Sequence, residues 1–314
     1  MKDFEQSKLH RLLLLLCLLY CGLGLAGCGG GDGSGAFVED GRLKVLATTT
    51  MIADAARVIA GDDAQVVGVM RDKEDPHTFK VTPRHGNAIA EADLVFANGL
   101  HLEATLDKII QTKAADKTVY LAEQDGITPI ADAGAESAPD PHCWMDVMLF
   151  KRYAEGIRDA LIEADPANAD GYRERAALYI AELDALDAWV RAELEKVPAK
   201  QRVIITSHDA FNYFGRAYEV QVHGLVGIST EQRATKADLN RLEKLVNDNG
   251  VRAVFYETSV TNTLNNTIKK FAGDTGIAVG GELYSDSLGA QGTDAGTYIG
   301  MMRHNTSTMV QALK

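Results

Sequence analysis

ANADGYRERAALYIAELDALDAWVRAELEKV, residues 167–197, reads as one long helix. Tyr172, Leu178, Leu183, Leu186, Trp189, Val190 and Leu194 recur at close to helical spacing, interrupted only by Gly171 and closed by Pro198. On both sides of it, short apolar runs alternate with amphipathic segments. Before it, strands are expected at 43–48, 65–69, 94–97 and 118–121, with helices at 52–60, 83–91, 102–112 and 148–164. After it come strands at 202–206, 219–224, 253–256 and 277–279, and helices from 210 and at 236–249, 262–272 and 294–313. Such alternation predicts parallel sheets covered on both faces. The expected fold class is therefore α/β: two α/β lobes with parallel sheets, joined by one long backbone helix.

The start of the chain has a different character. Lys2, Lys8 and Arg11 precede an apolar run at 12–25, too short to span a bilayer comfortably and typical of a secretory signal. It ends in Leu25-Ala26-Gly27-Cys28, which resembles a bacterial lipobox, so Cys28 is expected to carry lipid. Residues 29–35 are glycine apart from Asp32 and Ser34, a composition that behaves as flexible coil. The expected layout is a signal peptide at 1–27, a lipid-anchored tether at 28–41, an N-terminal lobe at 42–166, the linking helix at 167–198 and a C-terminal lobe at 199–314. The mature protein would be exported and held on the periplasmic or cell-surface side of a bacterial membrane.

Charge and cysteine usage narrow the partners. Three basic and two acidic residues leave with 1–27, taking the net charge from −12 to −13 and arguing against nucleic acid. Cys17 and Cys21 leave as well, and Cys28 is lipidated, so Cys143 alone remains and no disulfide framework is possible. A single free cysteine reads as a small buried hydrophobe.

Four short stretches could supply metal ligands: Asp75-Pro76-His77, Asp140-Pro141-His142-Cys143-Trp144-Met145-Asp146, Thr206-Ser207-His208-Asp209 and Tyr284-Ser285-Asp286. Each Asp-Pro-His reads as a loop, because proline biases the preceding residue away from helix. All four follow expected strands, where ligands of open α/β sheets sit. Two from each half would place an ion in the cleft between lobes. His10, His85, His101, His223 and His304 read as structural or surface residues, with His101 and His223 as reserve ligands. Asp146 and Asp209 could orient a ligand imidazole, or cap a helix in the case of Asp146. Trp144, Phe211, Tyr213 and Phe214 are expected in the core.

These motifs, in this order and spacing, resemble the zinc/manganese solute-binding proteins of bacterial ABC importers, the TroA-like or cluster A-I family. Further support comes from Ala92-Asp93-Leu94-Val95, Asn98-Gly99-Leu100 with Leu102-Glu103, Gly227-Ile228-Ser229-Thr230-Glu231 and Leu283-Tyr284-Ser285-Asp286-Ser287-Leu288-Gly289. The resemblance implies His77, His142, His208 and Asp286 as metal ligands and a rigid interlobe helix. It also implies cargo handed to an ABC permease whose ATPase is a separate chain. A monomer is expected.

Three imidazoles and a carboxylate suit zinc better than calcium or magnesium. Histidine at 208, where manganese-dedicated members tend to carry glutamate, favours zinc, with manganese as the alternative. Residues 122–139 hold Glu123, Asp125, Asp132 and Glu136 and lack the histidine-rich loop common in dedicated zinc members. After Thr230-Glu231 the sequence departs from the family's proline-serine pair, but Thr235-Lys236-Ala237-Asp238 still offers a capping box.

Two other classes compete. A metal-dependent hydrolase would want an open metal position and a general base, and no His-Glu-x-x-His helix, nucleophile elbow or phosphate loop is present. A surface adhesin or interaction lipoprotein suits the tether and the acidic charge but leaves four ligands unexplained. The expected protein is a carrier, not an enzyme.

Overall fold

In each half of the protein the first strand is laid down near the middle of its sheet. β1 (Leu43–Ala47) lies between β2 (Ala64–Gly68) and β3 (Leu94–Ala97), and β4 (Thr118–Tyr120) follows β3. β5 (Val203–Thr206) lies between β6 (Gln221–Gly224) and β7 (Ala253–Glu257), and β8 (Ala278–Leu283) follows β7. Every pairing is parallel, so the two sheets repeat one topology. The computed structural model describes residues 37–131 and 139–314. The expected signal segment, Cys28, His10, Asp132 and Glu136 lie outside the described residues.

The strand alternation explains the layers. Val45, Ala47 and Phe96 face a central cluster shared by both halves, whereas Leu46, Val95 and Ala97 face an outer one. In the second sheet Ile204, Ala253 and Phe255 face the centre, and Val203, Ile205 and Val254 face outward. Phe37 packs into the first outer cluster, and the backbone of Val38 exchanges hydrogen bonds with the Gln65 amide, so the fold begins at the end of the expected tether.

The helices are α1 (Thr50–Ala60), α2 (Pro83–Glu91), α3 (Ala104–Lys113), α4 (Val147–Ala164), α5 (Ala169–Leu194), α6 (Asn212–Tyr218), α7 (Lys236–Asn249), α8 (Asn262–Thr275) and α9 (Tyr298–Leu313). The long helix is α5. Its 26 residues span roughly 39 Å at ~1.5 Å each. It is tied to both halves: Arg175 donates to the Ile59 and Ala60 carbonyls at the end of α1, and Arg191 donates to the Ala217 carbonyl near the end of α6. Guanidinium groups at helix C-termini satisfy orphan carbonyls and the dipole together.

Its buried face is Tyr172, Ala176, Tyr179, Leu183, Leu186, Val190 and Leu194, packed on α4, α9 and α1. Each buried Leu or Val there contributes about 1.5–3 kcal/mol of transfer free energy. The sequence reading misplaced Leu178, which is 64% exposed; Tyr179, one position on, holds the seam. Helix spacing tolerates either phase locally, and only the partner helices select it.

Boundaries shift elsewhere for stated reasons. Residues 166–168 form a 3-10 turn before α5, and 294–296 form another before α9. β8 outruns its expected 277–279 because Gly280 and Gly281 interrupt the apolar pattern. A side chain at Gly280 would meet the Phe255 ring at 2.5 Å, so the glycine permits close strand packing. Thr235 and Asp238 form the expected capping box of α7. Among the described residues no helix is long and apolar enough to cross a membrane.

Candidate metal centre

His77, His208 and Asp286 lie beyond the carboxyl ends of β2, β5 and β8, and the His142 loop is held beside the end of β3, where Asn98 donates to the Pro141 carbonyl at 3.0 Å. After β2, Val69 and Met70 still donate to the carbonyls of Ala47 and Thr48, and the chain then turns into the Asp75-Pro76-His77 loop. Asp75 caps that turn by accepting from the His77 amide at 2.9 Å. His142 opens the 3-10 turn Cys143–Met145, held in place by its own loop: Asp140 accepts from the His142 amide at 3.0 Å. His208 directly follows β5, and Asp286 follows β8. His142 and His208 are fully buried, Asp286 nearly so, and His77 partly so.

The structure brings His77, His142, His208 and Asp286 together, with one ligand atom from each lying within 4.8 Å of all the others. His77 Nε2 is 3.3 Å from His142 Nε2. One oxygen of Asp286 is 3.4 Å from His142 Nε2, and the other is 3.2 Å from His208 Nε2. A tetrahedron with metal–ligand bonds of ~2.0–2.1 Å has edges of about 3.3–3.4 Å. The His77 Nε2–His142 Nε2 separation is near that length, and so is the approach of each Asp286 oxygen to one histidine, the two approaches using different oxygens.

The polar atoms are also left unsatisfied in the way a cation requires. Both Asp286 oxygens, both ring nitrogens of His208 and Glu257 Oε2 are buried without a hydrogen-bond partner among the described residues. An unpaired buried carboxylate is costly, and a cation at the centre of the cluster would relieve it.

Two further carboxylates set the ring orientation. Asp140 Oδ1 is 2.7 Å from His142 Nδ1, and Glu257 Oε2 is 2.6 Å from His208 Nδ1. Asp140 makes a hydrogen bond that keeps the His142 proton on Nδ1 and leaves Nε2 as the lone-pair donor, the arrangement found behind metal-bound histidines, while Glu257 faces His208 Nδ1 as a close ion-pair contact. Glu257 also accepts from the His208 amide at 2.8 Å. Its strand end is pinned by Asn265, which accepts from the Glu257 amide and donates to its carbonyl.

The electrostatics follow. Burial drops the His77 imidazole to about 3, so it stays neutral. Burial also disfavours charge on His142, but Asp140, with Asp286, carries it up to about 9. His208 is opposed by burial and raised well above its ordinary value by Glu257 and Asp286. Asp286 is opposed by burial yet held far below the carboxylate range by the facing His208 and His142. Burial pushes the Cys143 thiol up to about 12, away from thiolate.

The remaining histidines stay apart. His85 accepts from the Thr82 amide at the start of α2, His304 rests on the Glu282 carbonyl, and His101 is exposed beside Glu103 and Asp107. His223 lies on β6, half-buried, with Arg241 keeping its imidazole from charging after burial has done most of that work. Asp146 caps α4, accepting from Met148 and Leu149, so it is not a partner of the ligands. The orienting carboxylates are Asp140 and Glu257, which the sequence reading did not assign. Asp140 could have been found two residues before His142; Glu257 carried no local signal. Trp144, Phe211, Tyr213 and Phe214 are in the core as expected.

Residues 45–312 match the family model described as zinc-uptake complex component A, periplasmic (ZnuA). The chain belongs to this family. It is 37% identical over 304 residues to the manganese-binding lipoprotein MntA of Bacillus subtilis, covering 96% of this chain and 99% of that protein. It is 35% identical to the zinc-binding protein TroA of Treponema pallidum, covering 95% and 97%. The solved structure of periplasmic zinc-binding TroA superposes with a TM-score of 0.83 at 34% identity, covering 87% of this chain and 99% of that one. The Mn-bound periplasmic metal-binding protein of Candidatus Liberibacter asiaticus matches with a TM-score of 0.78 at 27% identity, covering 87% and 100%. Within the ZnuA family this chain thus resembles proteins named for either metal, and its fold is theirs.

Proposed function

We propose that this protein is the substrate-binding component of an ABC metal importer, with His77, His142, His208 and Asp286 holding one divalent transition ion as cargo. Four ligand atoms from both halves, lying within 4.8 Å of one another with several pairs at 3.2–3.4 Å, support this reading. Zinc is favoured by three imidazoles and a compact geometry. Manganese is the alternative, since both oxygens of Asp286 face the centre and hard oxygen donors suit it. MntA, named for manganese, is a close relative, which keeps that alternative live.

Burial of the ligands supports carriage rather than catalysis. Catalytic metal sites keep an open position for water, whereas this one is lined by three buried ligands and closed by a fourth. The chain would be exported by residues 1–27, anchored through lipid on Cys28 and carried on the segment 28–41, whose last residues already join the fold. Lobes at 42–166 and 199–314, with the helical link at 167–198, would dock as a monomer on a permease served by a separate ATPase. A second adhesive role is carried by no observation here. The test is a competitive titration with zinc and manganese, repeated with His208→Glu. One tightly held zinc, with preference moved toward manganese by the substitution, is expected; equal and weak binding of both by the unaltered protein would overturn the reading.

A further inference from the structure

The chemistry of the site is spread unevenly over the seam between the halves. On the His142 side the seam is buried and heavily bonded: Asn212 and Tyr213 donate to Asp140, Trp144 donates to the Ser285 carbonyl, and the Tyr298 hydroxyl donates to the Trp144 carbonyl. On the His77 side the ligand is only partly buried. There, among the described residues, one pair of side chains crosses by hydrogen bond, Thr230 Oγ1 donating to Asp75 Oδ2 at 2.6 Å, and nearby the Leu288 amide donates to Thr50 Oγ1 at 2.8 Å. The backbone of Lys73 adds one bond, to Ser287 Oγ, at 2.9 Å.

Both ends of the Thr230–Asp75 bond are wired to ligands. Asp75 uses its other oxygen to hold the His77 amide. Thr230 is 4% exposed and sits in the 227–231 loop, whose Gly227 carbonyl accepts from the Asp209 amide next to His208; just before it, Val226 donates to the Ser207 carbonyl. A rotation of the halves that withdrew His77 from the ion would have to break this bond. The rigid seam on the other side has no comparable weak point.

Resting on the receptor reading above, we infer that the Asp75–Thr230 hydrogen bond is the latch that closes the His77 side of the cleft and sets the rate at which the ion leaves. The role explains the 227–231 motif, which supplies no ligand. The latch must open before the ion leaves, so its loss acts on departure and leaves capture little changed.

The test uses chain lacking residues 1–34, since the described residues form one compact unit. It is loaded with zinc, and release to excess chelator is followed by stopped flow. Thr230→Val, which keeps shape and removes the donor, is expected to release zinc about 5- to 10-fold faster, the net worth of one ordinary hydrogen bond. Thr230→Ser is expected to match the unaltered protein. So is Thr78→Val, because Thr78 donates to the same Asp75 oxygen at 3.1 Å from within one half. Zinc stoichiometry and association rate are measured on every variant, and their preservation shows an intact fold. Unchanged release from Thr230→Val, equal acceleration by Thr230→Ser, or equal acceleration by Thr78→Val would each overturn the latch while leaving the receptor reading in place. Failure of the unaltered protein to hold zinc or manganese would instead remove the receptor reading, and the latch with it.

Discussion

His142 and His208 are oriented by the same chemistry delivered in two ways. His142 leans on Asp140, two residues earlier in its own loop; His208 leans on Glu257, 49 residues further on at the end of β7. The first arrangement needs only residues of one loop, although the Asp-Pro-His sequence does not by itself ensure it: Asp75 accepts from the His77 amide, Thr78 and Thr230. The second exists only because β5 and β7 are neighbours in a parallel sheet. One half of the site is thus written locally, and the other is assembled by topology.

Asp286 joins the two halves of that comparison, facing both histidines. Removing it should have the largest effect. Asp286→Ala is expected to weaken zinc binding by more than the roughly 10- to 100-fold typical of outer partners, read by chelator competition. A loss no larger than theirs would place Asp286 outside the ligand set.

The orienting carboxylates should then separate. In Glu257→Gln one amide edge must still accept from the His208 amide, so its NH2 faces Nδ1 and drives the proton to Nε2, removing the lone pair. A loss approaching 100-fold is expected. In Asp140→Asn the oxygen can stay on His142 while the NH2 turns to Asn212, whose amide can rotate to accept it. That loss should be nearer 10-fold. Equal losses would erase the distinction between the two histidines.

Acidification probes both sides together. Raised His142 and His208 pKa values mean that these rings carry protons that an incoming ion must displace. Affinity should therefore fall steadily as pH drops from about 9, by up to about tenfold per unit for each proton released. Glu257→Gln should flatten the profile. Affinity independent of pH between 8 and 6, measured by competition with a buffered chelator ~, would contradict imidazole ligation.

The smallest effect separates scaffold from site. Asp54 on α1 accepts from the Tyr298 amide at the start of α9, and burial pushes its carboxyl up to about 6, partly offset by that bond. A raised folded-state value means that its stabilising contribution is full below the unfolded pKa, near 4, and is lost as pH rises through about 6. Asp54→Asn keeps an acceptor without the buried charge. It should gain roughly 1–3 kcal/mol at neutral pH in urea unfolding, with no gain in strong acid and unchanged zinc affinity.

The same contrast explains what could be read in the chain. Alternating strands and helices disclosed two sheets and a long link, and strand ends disclosed where His77, His142, His208 and Asp286 would stand. The phase of α5 at Leu178 and Tyr179 was not legible, because α4, α9 and α1 select it. Glycines hid the length of β8. Glu257 was invisible for a physical reason: strand order determines that β7 ends beside His208, and no window of sequence contains both.

The most direct measurement is X-ray absorption on zinc-loaded chain lacking residues 1–34, with metal content determined on the same sample. One zinc per chain, with a first shell of imidazole nitrogens and carboxylate oxygen at about 2.0–2.1 Å, is the predicted result. Loss of stoichiometric zinc on dialysis, or a shell without imidazole scattering, would contradict the account.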